Sequence, residues 1–234
     1  MAFITLASSA LVAVPAGAQH TQVELPIGCT HGGAPFHTHG PRGKKRIAIG
    51  FDDGPSDYTL RVLRVLRQFD SHATFFEIGQ ETSGRAQTMK EILAQGSEIG
   101  NHTLHHESNP SSQSLRETNR LIRVATGFTP CDFRPPGGHV NSGVIDRAHA
   151  QRMVTVDWEV DPRDWARPGV GAIASGVIHH AHSGSIVIMH DGGGNRSQTV
   201  AALPAILSHL RHRGYQFVTV AELLGHRFIY PASP

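Results

Sequence analysis

The stretch Ile47-Ala48-Ile49-Gly50-Phe51-Asp52-Asp53-Gly54-Pro55 decides how the rest of the chain is read. Ile47, Ile49 and Phe51 alternate with small residues, the period of a short buried strand, and Gly54-Pro55 stops it abruptly. Neighbouring side chains of a strand point to opposite faces, but where a strand ends and twists both can enter one pocket. Two carboxylates in one pocket repel each other unless a cation or a shared proton relieves them. A metal ligand beside a general base satisfies that condition. Asp-Gly and Gly-Pro are also ordinary turn dipeptides, so the surrounding chain has to choose between the two readings.

Working outward, apolar residues at Leu60, Leu63, Val65, Leu66 and Phe69 keep a helical period over 58–69. The same alternation then repeats. Strands are expected at 73–77, 98–100, 131–134, 153–157, 186–190 and 216–219, with helices at 87–95, 112–126, 142–150, 171–181 and 199–213 and a last turn at 220–224. Strands alternating with helices at this spacing build a parallel sheet. Seven of them imply an α/β fold, a distorted (β/α) barrel of about seven parallel strands. In such barrels chemistry gathers where strands end at their C-termini. The polar clusters fall there: Asp52-Asp53 after the first strand, His102 after the third, Arg134 after the fourth, Asp161 and Asp164 after the fifth, His190-Asp191 after the sixth.

The chain has 234 residues, enough for one domain with a substantial core, and a formal charge of +2. That mildly basic balance suits a polyanionic setting such as a cell wall and calls for no nucleic acid; the run Arg42–Arg46 reads as a solvated lead-in to the first strand. Residues 1–18 end in Ala16-Gly17-Ala18, a small-x-small cleavage pattern after an apolar run. We therefore expect a signal peptide, without its basic n-region, and a secreted or wall-associated protein. No other segment approaches the length of a membrane span. Cys29 and Cys131 are the only cysteines. In an exported protein an even pair suggests a disulfide. Closing a loop of about 100 residues, it would contribute roughly 4–5 kcal/mol in the chain-entropy picture. Residues 19–43, with His31, His37 and His39, read as an irregular arm pinned by Cys29, the catalytic domain as 44–226, and residues 227–234 as a tail.

The sequence Asn101-His102-Thr103-Leu104-His105-His106 begins just past the third strand. If the chain turns helical there, His102 and His106 share a face and can chelate one ion; His105 is a rival that spacing leaves open. Two imidazoles and one carboxylate leave a coordination position free, the arrangement of catalytic zinc.

These motifs together resemble the polysaccharide deacetylase family with the NodB-homology fold, carbohydrate esterase family 4, over about residues 44–224. Phe51–Pro55 resembles its first motif, His102–His106 its second (H-[S/T]-x-x-H), Arg134–Gly138 its third, Asp161–Trp165 its fourth and Ile188–His190 its fifth. The resemblance implies Asp52 as base and Asp53, His102 and His106 as metal ligands, which selects His106 over His105. It further implies Arg134 orienting Asp52, a Gly137 N–H as oxyanion donor, His190 as acid and Asp164 orienting His190. Trp165, Met189 and Pro136 are expected to line the substrate site, with an ordinary place in the core the rival reading for Trp165 and above all for Met189. Gly137 departs from the aromatic residue frequent in the third motif, which removes one wall of the groove. The implied cofactor is a divalent ion, Zn²⁺ or else Co²⁺ or a similar metal. The implied reaction is removal of N-acetyl groups from N-acetylglucosamine glycans, peptidoglycan or chitin, by a monomer. Acetylxylan de-esterification would use the same residues, and a non-catalytic carbohydrate- or metal-binding barrel would need neither Asp52 nor His190.

Overall fold

The computed structural model describes residues 24–30 and 32–231; the expected signal peptide and His31 lie outside them. The quoted stretch forms β3, Arg46–Gly54, the longest strand and the centre of an eight-stranded sheet. Around it stand β4 (Thr74–Glu77), β5 (Glu98–Asn101), β6 (Asp132–Phe133), β7 (Val154–Val156), β8 (Ile186–His190) and β9 (Gln216–Val218). These seven are parallel to their neighbours in the order β7-β6-β5-β4-β3-β8, with β9 on the first half of β3. Beyond β7 the chain crosses to the free edge of β8, where Val160 N donates to Ile186 O at 3.2 Å and Ile188 N to Val160 O at 3.0 Å. That crossing draws the sheet into a distorted (β/α) barrel.

The segment expected to be irregular is partly ordered into strands. β1 (Gly28–Cys29) pairs antiparallel with β10 (Phe228–Ile229), and β2 (Phe36–His37) pairs in parallel with β7. Arm and tail therefore tie to each other. Two-residue strands carry no readable period, which is why the sequence does not announce them. The Cys29–Cys131 disulfide, with Cα atoms 5.9 Å apart, fastens the arm to the start of β6.

Alternation along β3 separates two cores. Ile47, Ile49 and Phe51 face outward into the main cluster with the helices α1 (Thr59–Gln68), α2 (Ala86–Ala94), α5 (Val170–His180) and α6 (Ser197–His212). Helix boundaries follow local chemistry. α3 (Ser112–Thr126) begins where Ser111 accepts from Ser114 N and ends at Gly127 in the left-handed region. α4 (Ser142–His149) starts at an Asn141 cap. The inner face holds Ala48, Phe76, Val154, Val156 and Ile186. α7 (Val220–Leu224) plugs the N-terminal end of the barrel: its first N–H groups donate to Thr74 Oγ1 and Glu98 Oε2, and Val220 and Leu223 join the inner core. No helix among the described residues is long and apolar enough to cross a membrane.

Candidate active site

β3 does not end as a regular strand. Its register on β4 shifts between Asp52 and Gly54, and Asp53 takes φ 72°. That bulge turns two consecutive carboxylates into one pocket, as bulges re-aim side chains beside functional sites. Asp52 is buried and accepts from Arg134 Nη1 at 2.8 Å. Asp53 Oδ1 lies 3.2 Å from His106 Nε2 and 3.5 Å from His102 Nε2. Burial alone would raise the Asp53 pKa; the two imidazoles override it and hold the carboxyl far below its usual range.

The loop carrying the histidines is not helical. Thr103 (φ 70°) and His106 (φ 62°) are both left-handed, so the expected helical face is corrected to an irregular turn that brings the two rings to 5.2 Å between centroids. Asn101 Oδ1 accepts from Thr103 N at 2.9 Å and the Thr103 hydroxyl accepts from Glu107 N at 3.1 Å, closing the turn. Sequence reasoning missed Asn101, whose amide also anchors the turn to α3 through Leu115 O. His105 points away, its Nδ1 2.8 Å from Gln80 Oε1, and is exposed.

His102 Nδ1 donates to the Arg134 carbonyl at 2.8 Å. That bond fixes the tautomer and leaves Nε2 as the free base, the usual preparation of a ligand histidine. Asp53, His102 and His106 offer ligand atoms within 4.8 Å of one another, the one such group among the described residues. Asp53 Oδ1 is buried with no hydrogen-bond donor. An orphaned carboxylate oxygen facing two imidazole nitrogens fits a divalent cation well.

Arg134 is fully buried inside the barrel, its guanidinium 4.1 Å from the centre of the Phe76 ring and 5.9 Å from that of Trp158. Across the rim, His190 Nδ1 donates to Asp164 Oδ1 at 2.8 Å and His190 N to Asp164 Oδ2 at 2.9 Å. Thr199 Oγ1 adds a third bond to Asp164 at 2.6 Å. Burial would lower the His190 pKa; Asp164, aided by the charges of Asp52 and Asp53, reverses this and raises it. Asp161 caps the following loop, accepting from Arg163 N at 2.6 Å.

Pro136 is buried and Trp165 is 47% exposed near the same rim. Met189 is 0% exposed in the sheet–helix core. Its expected substrate contact is corrected: one step of alternation from His190 puts Met189 on the outer face of β8. Gly137 (φ 63°) and Gly138 (φ 68°) carry the turn after β6; the turn bonds come from Gly138 N and His139 N, so the Gly137 N–H is committed to neither. A Cβ at Gly137 would lie 3.1 Å from Cδ2 of the exposed His139 ring, a tight contact with a side chain at the surface.

Two further features have sequence signals that went unread. A Cβ at Gly192 would fall 1.8 Å from Asp53 O, and one at Gly193 2.5 Å from Asp53 Oδ2, so the Gly192-Gly193-Gly194 run lets the loop after β8 lie against the metal-ligand turn. Behind it, Glu77 and Asp191 are buried side by side. Burial and the charge of Asp191 push Glu77 up strongly; burial, eased by a hydrogen bond from Thr59 but reinforced by Asp53 and Asp52, pushes Asp191 up to about 7.

A barrel rim with a three-ligand cluster suited to one cation, an Arg-held carboxylate on one side and a carboxylate-bound imidazole on the other is an arrangement that metal-assisted hydrolysis can use. The chain belongs to the polysaccharide deacetylase family, whose model matches residues 39–156. It is 47% identical over 197 residues to a peptidoglycan-N-acetylglucosamine deacetylase of Bacillus cereus, covering 80% of this chain and 92% of that one. A chitooligosaccharide deacetylase of Sinorhizobium fredii is 35% identical over 191 residues, covering 74% and 89%. Among solved structures, the Bc1960 peptidoglycan N-acetylglucosamine deacetylase bound to 4-naphthalen-1-yl-N-oxidanyl-benzamide superposes with a TM-score of 0.78 at 29% identity, over 82% of this chain and 93% of that one.

Proposed function

We propose that this protein is a secreted, divalent-metal-dependent deacetylase that hydrolyses N-acetyl groups of N-acetylglucosamine-containing glycans, peptidoglycan first and chitooligosaccharides second. The observation that carries the reading is the convergence of Asp53, His102 and His106 while Asp52, one residue away, is held by Arg134 instead. The order of substrates follows the 47% and 35% identities to relatives named for those activities.

Asp53, His102 and His106 would hold Zn²⁺ or a similar ion. Such an ion supplies Lewis-acid polarisation of an acyl oxygen and makes a nearby water more acidic. Asp52 would accept the proton from that water, with the Arg134 guanidinium holding the carboxylate in place. The Gly137 N–H would donate to the oxyanion that develops on the acyl carbon. His190 gives the proton to the departing amine. Asp164 fixes its Nδ1–H tautomer and raises its pKa, so that the acid holds its proton more firmly than a free imidazole. Trp165 offers the acetyl group an apolar wall. A binding-only barrel would need neither the base nor the acid, whereas here Asp52 is buried and bound by Arg134 and the half-buried His190 is bound by Asp164.

The test is acetate release from peptidoglycan, chitooligosaccharides and acetylxylan measured side by side, with and without chelator. We expect release from the first two, abolished by chelation and restored by Zn²⁺ or Co²⁺. Chelator-insensitive release would refute metal dependence; release from acetylxylan alone would replace amide by ester as the bond attacked.

A further inference from the structure

The end of the barrel opposite the site carries a charge distribution that the reaction does not use. Cations from three distant parts of the sequence meet there: Lys44, Lys45 and Arg46 before and at the start of β3, Arg211 and Arg213 around the end of α6, and Arg227 before β10. Three adjoining cavities, of about 430, 350 and 450 Å³, all share Arg46 and Glu222 in their walls and reach Arg211, Lys44 and Arg227 respectively.

The cations are held in place rather than scattered. Lys45 Nζ donates to Arg213 O at 2.9 Å, and Arg211 Nη1 donates to Asp70 O at 2.9 Å. Lys45 and Arg213 both stand 5.7 Å from the centre of the Tyr215 ring. Each of these contacts uses a backbone carbonyl or a ring face, so none neutralises a charge. Among the described residues none of the six forms an ion pair, in contrast to Arg42 close by, which pairs with Glu159. The carboxylates in the cavity walls are Asp70 and Glu222, and Glu222 is committed to the α7 capping box. On a chain of formal charge +2 this leaves one face strongly positive and the remainder slightly acidic. Six like charges with only two carboxylates among them repel, and an anion that brings its own charges relieves them.

We propose that this face docks the protein on an anionic cell-wall polymer, one bearing phosphate or carboxylate groups along its backbone. A polymer fits better than a small anion because the cations line a track across three cavities instead of converging on one buried point. The surface lies at the N-terminal ends of the strands. From Arg46 to Asp52 along β3 is about 20 Å at the usual rise per residue. That exceeds the Debye length of about 8–10 Å near physiological salt, so the face does not tune the site electrostatically. It holds the enzyme on the wall while the opposite rim stays free to meet glycan strands.

The test is co-sedimentation of the full chain with insoluble wall that retains its anionic polymer, the same wall stripped of that polymer, and uncharged chitin. We expect binding to the intact wall to fall about tenfold between 50 and 300 mM salt, as counterion release requires, and to be weak on the other two. A Lys45→Glu, Arg211→Glu, Arg213→Glu variant should lose about tenfold in wall binding while releasing acetate from soluble chitooligosaccharides at the wild-type rate; the milder triple change to Gln should lose less. Wild-type wall binding by either variant at low salt, or equal binding to intact and stripped wall, overturns the proposal. Equal binding to anionic vesicles or to RNA overturns the choice of polymer. Binding is read without turnover, so a wild-type protein that binds wall but releases no acetate counts against the proposed reaction and leaves the docking face standing.

Discussion

Gly50→Ala tests whether the barrel interior, and not only the rim, is built around Arg134. A Cβ at Gly50 would lie 2.3 Å from Arg134 Nη1, 2.7 Å from Nη2 and 2.8 Å from Cζ. One of the two must move, and β3 is held on both sides by β4, β8 and β9, so the guanidinium yields. It is fully buried, with Phe76 over one face and Asp52 at its tip, so it cannot retreat without loosening the 2.8 Å bond to Asp52. Overpacking of this kind costs about 1–3 kcal/mol. For a chain of this size, about 2 kcal/mol lowers Tm by roughly 4–8 °C. A hydrogen bond between charged groups is worth about 1.5–3 kcal/mol, which, if it is lost in the transition state, lowers kcat about 10- to 100-fold. Bound metal, read by elemental analysis, should be unchanged because Asp53, His102 and His106 are not touched. Gly171→Ala is the control: nothing lies within 4 Å of its Cβ position in α5, and it should gain up to about 1 kcal/mol. A Gly50→Ala enzyme with wild-type kcat would falsify the claim that Arg134 has no second resting place.

Asp52→Asn should keep its metal and lose about 10²–10⁴ in kcat, the range of general-base catalysis; near-wild-type turnover would reassign the base. His106→Ala should abolish metal binding while His105→Ala, hydrogen-bonded to Gln80 outside the site, leaves it intact, as measured by calorimetric titration with Zn²⁺. Asp164→Asn removes the main group that raises the His190 pKa, so the alkaline limb of the pH–rate profile should move to lower pH; an unmoved limb would mean that another group supplies the acid. Asp132→Asn should stabilise the protein at pH 7–8. Burial, then the charge of Glu98, raise the Asp132 pKa well above its ordinary value. The folded state therefore holds a proton that the unfolded state releases near pH 4, and the stability present below that pH is lost as pH rises toward the folded value. The variant's Tm should gain on wild type steadily from pH 4 upward, and parallel Tm curves would show that Asp132 ionises freely in the fold.

The strands and helices of the barrel were legible because each buries one face with a clear period. The predicted helix over 112–126 coincides with α3 because Ser111 and Gly127 cap it in ways the sequence displays. The strands of the arm and tail were not legible: β1, β2 and β10 are two residues each and owe their existence to long-range pairing and to the Cys29–Cys131 bond. The site shows the same division. Asp52 and Asp53 could be placed at a strand end, but the turn that presents His102 and His106 depends on two left-handed residues fixed by Asn101 and Thr103. No helical period describes such a turn. For Met189 the motif and the core offered rival readings, and the core prevails because the residue takes the outer face of β8.

The small residues of the opening stretch have a physical cause that lies far along the chain. Gly50 alternates with Ile49 and Phe51 because the inner face of β3 must leave room for a side chain that arrives 84 positions later, and Gly100 likewise yields to Phe76, whose ring a Cβ there would meet at 2.4 Å. Removing two side chains from the barrel interior opens a volume that an apolar residue could have filled at less desolvation cost. What fills it is the Arg134 guanidinium, fully buried, with Phe76 on its face and Asp52 at its end. Lysine could not serve as well: its point charge offers no plane to lie on the ring and no fork to aim at the carboxylate. The interior is thus organised around the guanidinium that holds the Asp52 carboxylate in place beside the Asp53, His102 and His106 cluster, and the proposed site extends inward to glycines set behind it.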